Sequence, residues 1–169
     1  MHLSGRRFDP VAFLRWLDSE AIRYMLIGGQ AVRLYGSPRT TVEYDFWLEP
    51  SSRVRVLRTL EELYDLELSA DPTDRRRPIV VAQSPFDKVD TFFLRGMSTP
   101  DGKHLDFDEL FSRSVLVEAE GEPPVRVPAI DDLIALKSLR APLKPEDTQD
   151  IRYLEVRLRI DEADSGVGE

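Results

Sequence analysis

Three acidic residues and a glycine pair carry the chemistry that this sequence can offer. Glu43 and Asp45 stand two residues apart in the run Glu43-Tyr44-Asp45-Phe46-Trp47-Leu48. Side chains two apart on a strand share a face, so the pair would project together while Tyr44, Phe46 and Leu48 point the other way. Two carboxylates held side by side repel unless a cation or ligand offsets them. Upstream, the apolar run at 24–27 ends at Gly28-Gly29, and thirteen residues (Gln30 to Val42) separate the glycines from Glu43. Downstream, Asp90 is isolated among Val89, Thr91, Phe92, Phe93 and Leu94.

Two-metal nucleotidyl transfer asks for this set of parts. Adjacent carboxylates bridge two divalent cations roughly 4 Å apart. A third carboxylate holds the metal that activates the attacking hydroxyl. Glycines let the backbone approach a polyphosphate closely, and a cation neutralises charge on the phosphates. Each part also has a plainer reading. Gly28-Gly29 could be a tight turn from strand to helix. Glu43 and Asp45 could be the charged face of an edge strand. Asp87 competes with Asp90, and either could cap a turn.

The elements that must position these residues follow from the chain's periodicity. A helix is predicted over 8–21, capped by Asp9, with Pro10 at its first position and Phe8 stapled onto Phe13. Strand 24–27, helix 30–35 and strand 43–48 form the central unit. Ser51 or Ser52 opens a helix whose buried face is Val54, Leu57, Leu60 and Leu63/Tyr64, with Arg53, Arg55 and Arg58 in water. Short strands are expected at 66–68, 79–82, 88–94, 115–117 and 125–127. The turn Asp101-Gly102 is expected to pair the segments around Phe93 and His104. Asp106 with Glu109 opens a short helix. From Pro128 the chain turns helical, first around Ile130, Leu133, Ile134 and Leu136, then from about Glu146 to Leu158. The fold class is therefore α/β (α+β), a small mixed sheet flanked by helices with a helical C-terminal portion. A single domain over 1–160 is expected, helical from about 128, followed by a frayed tail at 161–169.

The arrangement resembles the DNA polymerase beta-like nucleotidyltransferase superfamily. Its signature is an apolar residue, glycine, glycine or serine, a spacer, and acidic-apolar-acidic-apolar, matched here by Gly28-Gly29 and Glu43-Tyr44-Asp45-Phe46. Within it, the wording Ile-Gly-Gly-Gln-Ala-Val-x-Leu-x-Gly-x-x-Arg-Thr-Thr-x-Glu-x-Asp is similar to the minimal bacterial branch of AbiEii-type toxins. The segment Ile130-Asp131-Asp132-Leu133-Ile134-Ala135-Leu136-Lys137 and the stretch Lys144 to Ile151 resemble that branch too. The resemblance touches residues 24–49, 87–94 and 127–154. It implies that Gly28, Gly29 and Gln30 hold the triphosphate of an NTP, and that Glu43, Asp45 and Asp90 bind two Mg2+ ions. It further implies that Asp90 helps activate a hydroxyl acceptor on RNA such as tRNA, on protein or on a small molecule, and that Lys137 contacts phosphates with Arg39. A toxin–antitoxin or phage-defence setting, with a cognate antitoxin, is implied as well.

One residue departs from the pattern. The family carries Asp where this chain has Glu43, and an extra methylene at such a site can cost about 100-fold. A catalytically weak binding module or antitoxin-like partner is therefore the second reading. Lys137 lies at the margin of an apolar helix face, where a lysine can simply run its stem along the surface. Arg39 could pair with a nearby carboxylate. Asp147 and Asp150 read as helix-start and surface residues. Trp16 and Trp47 read as core or sheet-face packing before base-stacking platforms; Trp47 shares the face of the carboxylates and is the one aromatic to test for stacking on a base.

The bulk numbers close off other classes. The formal net charge of -8 disfavours non-specific coverage of nucleic acid. The absence of cysteine excludes thiol chemistry, and two histidines, His2 and His104, make a zinc centre a poor fit. No apolar run reaches the ~20 residues of a membrane span. A cytoplasmic protein is the expectation.

Overall fold

The computed structural model describes residues 6–118 and 120–166; His2 and the end of the expected tail, 167–169, lie outside them. Asp9 caps α1 (Pro10–Ser19), its side chain accepting from the Ala12 amide. Phe8 meets Phe13 at 5.6 Å between ring centroids, as the staple requires. The chain then enters β1 (Tyr24–Ile27), passes at once into α2 (Gly28–Leu34), and returns as β2 (Tyr44–Leu48). The helix thus begins at the glycines themselves, two residues earlier than the sequence pattern suggests. A 3-10 turn at Pro50–Ser52 leads into α3 (Arg53–Tyr64), followed by β3 (Glu67–Leu68), β4 (Ile79–Gln83) and β5 (Lys88–Phe92).

These five strands form one sheet in the order β1-β2-β5-β4-β3. Only the β2–β5 pair is parallel, with Asp45 opposite Asp90. Parallel neighbours need a long crossover, and α3, β3 and β4 supply it. That topology brings two acidic residues 45 positions apart into adjacent register.

The sheet has a core on each side. Tyr24, Leu26, Phe46, Leu48, Val80 and Ala82 face the larger one with α1, α2 and α3. Met25, Ile27 and Trp47 face a smaller core with Leu105, Phe107, Leu110, Ala135 and Leu136. The second core is built by the hairpin of β6 (Gly96–Ser98) and β7 (His104–Asp106), by α4 (Phe107–Ser112) and by α5 (Ile130–Lys137). Trp47 is therefore fully buried, its Nε1 donating to the Leu94 carbonyl at 2.7 Å. It cannot stack on a base. The hairpin pairs Met97, not Phe93, with Leu105. Phe93 instead prolongs the β4 edge, donating its amide to Pro78, and is buried in the larger core.

Two expectations about helices are corrected. Val54 and Leu63 of α3 are exposed, whereas Arg53 is buried. Its guanidinium donates to the carbonyls of Asp71, Pro72 and Arg77 and so pins the arginine-rich loop to the helix. A long planar fork can satisfy three carbonyls that an apolar residue would leave bare. At the other end, β8 (Val115–Val117) pairs with β9 (Val125–Val127), and α6 then runs from Pro145 to Gly166. The expected tail is thus helical as far as Gly166. Arg157 pairs with Asp161 four residues on, and Glu162 and Ala163 are good helix formers. Among the described residues, no helix is long and apolar enough to cross a membrane.

Candidate active site

At the β1–α2 junction, Gly28 has φ +69°, and a Cβ there would fall on the Asp45 carboxylate. A Cβ on Gly29 would meet the Arg39 guanidinium. The two glycines are thus demanded by the groups packed over them, which is more than a turn alone requires. Gly28→Ala combines a left-handed backbone, costing about 1–2 kcal/mol for an L-residue, with displacement of Asp45. We expect a lower melting temperature and, through Asp45, a loss of activity of about 100-fold. Thermal melts and initial rates on the same preparation check both.

The glycines open onto a cleft of about 850 Å³. Its walls include Gly28, Gly29, Arg39, Glu43, Asp45, Asp90 and Lys137, seven of the eight residues singled out in the sequence. Gln30 is the eighth and is turned away. It is buried, donates to the Thr41 carbonyl at 2.9 Å and accepts from Arg33 at 3.0 Å. Its place is under the loop that carries Arg39, not in the cleft. Asp87, the competitor of Asp90, is taken by the N-terminal segment: Arg7 forks onto it at 3.0 and 3.1 Å and the Phe8 amide donates to it.

Asp45 is the electrostatic centre. Burial, then the charges of Asp90 and Glu43, push its pKa up to about 7, with Lys137 pulling the other way. Asp90 Oδ1 is buried with no hydrogen-bond partner. Glu43 is half exposed and turns toward Lys88, whose Nζ is 3.8 Å from both Glu43 Oε1 and Asp90 Oδ2. Lys88 was not foreseen, although it stands two residues before Asp90 on the same strand face.

Two other cations of the cleft, Lys137 and Arg39, are tied to α6. Lys137 Nζ lies 3.0 Å from Asp147 Oδ1 and 3.0 Å from Asp150 Oδ2, and Arg39 Nη2 lies 3.2 Å from the same Asp150 oxygen. Those approaches to Asp150 Oδ2 miss hydrogen-bond alignment, so they act as charge contacts. Asp147 and Asp150 are almost wholly buried. They are not surface residues: they anchor the two basic side chains that face the glycines. Their i, i+3 spacing on a helix following Lys137 was the available signal.

These features meet a solved architecture. The lincosamide antibiotic adenylyltransferase LnuA, solved with lincomycin bound, superposes with a TM-score of 0.64 at 15% identity, covering 89% of this chain and 98% of that one. ANT(2")-Ia in complex with adenylyl-2"-tobramycin superposes with a TM-score of 0.61 at 14% identity, covering 90% and 89%. The chain has the nucleotidyltransferase fold. A solution structure of ANT(2'')-Ia shares this nucleotidyltransferase fold with a TM-score of 0.55 at 13% identity, covering 91% and 89%. No protein-family model and no curated protein matches the sequence.

Within the nucleotidyltransferase fold, the donor set suits a hard divalent cation. Asp45 and Asp90 present carboxylate oxygens, one of them buried and unpartnered, at a point where negative charge is only partly offset by Lys88 and Lys137. Among the described residues no group of three acidic or histidine side chains is set as a ready ligand cluster. Glu43, held by Lys88, stands outside the pair.

Proposed function

We propose that the chain is a metal-dependent nucleotidyltransferase, moving an NMP from an NTP to a hydroxyl acceptor with pyrophosphate leaving. The observation that carries this reading is the juxtaposition of Asp45 and Asp90 across the parallel β2–β5 pair, directly over the Cβ-free edge of Gly28. Asp45 and Asp90 would hold Mg2+, joined by Glu43 once it leaves Lys88. The bound cation would neutralise phosphate charge and favour ionisation of the acceptor hydroxyl. Gly28 and Gly29 let the Asp45 carboxylate and the Arg39 guanidinium close onto the backbone, and the triphosphate would lie beside them. Arg39 and Lys137, fixed by Asp150, would face its phosphates. The acceptor oxygen bonds to the α-phosphorus as the bond to the pyrophosphate oxygen breaks, and Asp90 would receive the hydroxyl proton.

Resemblance to AbiEii-type toxins supports tRNA or protein as acceptor, in a toxin–antitoxin or phage-defence setting with an antitoxin partner. The likeness to LnuA and ANT(2")-Ia supports a small-molecule acceptor instead. The second reading, a weak or inactive binding module, draws on the Lys88 bridge, which occupies Glu43. Incubation with Mg2+ and each labelled NTP, with total tRNA or a panel of hydroxylated small molecules, tests these readings. Label appearing in an acceptor establishes the enzyme. Nucleotide that raises the melting temperature without any transfer establishes the binding module, and neither effect removes both.

A further inference from the structure

The cleft has two unlike halves. In the sheet order β1-β2-β5-β4, the glycines sit at the β1 end and the carboxylates in the middle. Beyond Asp90, toward β4, the wall is apolar: Ile79 lies opposite Phe92 across the β4–β5 pair, and Leu94 and Met97 continue it. Phe92 and Met97 rest on the smaller core, yet all four side chains also line the cleft. Ile79 is left 47% exposed. Phe92 follows Asp90 by two residues on one strand face, about 7 Å along β5.

If the proposed function holds, the triphosphate lies on the glycine side, and an acceptor hydroxyl must reach Asp90 from the β4 side. We infer that the acceptor is a small molecule with an apolar body carrying the reactive hydroxyl, seated on Ile79, Phe92, Leu94 and Met97. A nucleic-acid acceptor would need cations along its path. The cleft's other basic residues, Arg39, Lys137, Arg140 and Lys144, come from the loop before β2 and from the α5–α6 region and not from the strands of this wall, and Lys88 is already engaged by Glu43 and Asp90, on a chain of net charge -8. A cleft of about 850 Å³ is of the size that encloses small ligands.

Octyl β-D-glucoside below its micellar concentration is a suitable probe, with methyl β-D-glucoside as the polar control. Binding to the full chain without nucleotide should favour the octyl compound by at least tenfold. Ile79→Asp should remove that preference while leaving the unliganded melting temperature and the shift produced by Mg2+ with NTP unchanged. Met97→Gln, on a different element, should weaken the octyl compound in the same direction. Equal binding of the two glucosides overturns the inference, and so does labelling of tRNA that survives Ile79→Asp. A wild-type protein that ignores Mg2+ and NTP would sink the proposed function alone, since the glucoside contrast is read without either.

Discussion

Asp45→Asn is expected to cripple nucleotidyl transfer and, in metal-free buffer at pH 8, to make the protein more stable than the wild type. Burial and the neighbouring charges of Asp90 and Glu43 raise the Asp45 pKa from its ordinary value near 3.8 to about 7. The folded protein therefore holds the Asp45 proton more tightly than the unfolded chain does. For such a group stability is greatest below the unfolded pKa, falls as pH rises between the two values, and stays low above the folded one. Each pH unit in that window corresponds to about 1.4 kcal/mol. Partial solvation of the site trims the total, so a gain of about 2 kcal/mol at pH 8 is reasonable for an uncharged isostere, with little difference below pH 4. Urea unfolding in chelator at pH 4 and pH 8 checks this. Millimolar Mg2+ should raise wild-type stability at pH 8 and leave Asp45→Asn unmoved. Activity should fall by about 10³-fold, at the upper end for loss of one preorganised electrostatic group. Glu43→Gln, which removes a half-exposed carboxylate paired with Lys88, should cost far less. Equal losses from the two substitutions would restore Glu43 to the centre of the site.

That ordering of Glu43 and Asp45 was not legible in the sequence, and the reason is physical. Alternation showed that the two carboxylates share a strand face, but not how deep each lies. Depth is set by where α4 and α5 cover the sheet: Trp47 is sealed by Phe107 and Leu110, Asp45 is mostly covered, and Glu43 lies beyond the start of β2. The same ignorance of packing left base stacking open for Trp47 beside the core packing that it has. Local signals fared better. The Asp9 cap, the Phe8–Phe13 staple and the Asp106 cap depend on neighbours within a few residues, and each has the expected geometry. Arg53 shows the converse. Nothing nearby in sequence announces three bare carbonyls in the 71–77 loop, so a buried arginine read as a surface one.

The residues whose placement departs furthest from the sequence reading, Asp147 and Asp150, support the last prediction. Removing Asp150 should destabilise the protein by about 3 kcal/mol, the cost of stripping one partner from a buried charge group. Asp150 is 1% exposed and receives both Arg39 and Lys137. Lys137 would keep Asp147, while Arg39 would lose the partner that holds it beside Gly29. Asp150→Leu should therefore raise KM for the NTP more than it lowers kcat, because the phosphate contacts are loosened while Asp45 and Asp90 stay in place. A double-mutant cycle separates charge coupling from packing. If the network is a unit, Asp150→Leu combined with Lys137→Met should be less damaging than the sum of the singles by at least about 1 kcal/mol. Strict additivity would reduce both acidic residues to ordinary core contacts. Acid titration gives an independent reading. Burial alone would raise the Asp147 pKa, but Lys137, the Lys144 amide and Arg140 together bring it below the ordinary value. Its contribution is then present above the unfolded pKa near 3.9 and is lost as pH falls through the folded one. Stability attributable to Lys137 should persist from neutrality to about pH 4 and vanish only below it, and Lys137→Met should flatten that acid limb.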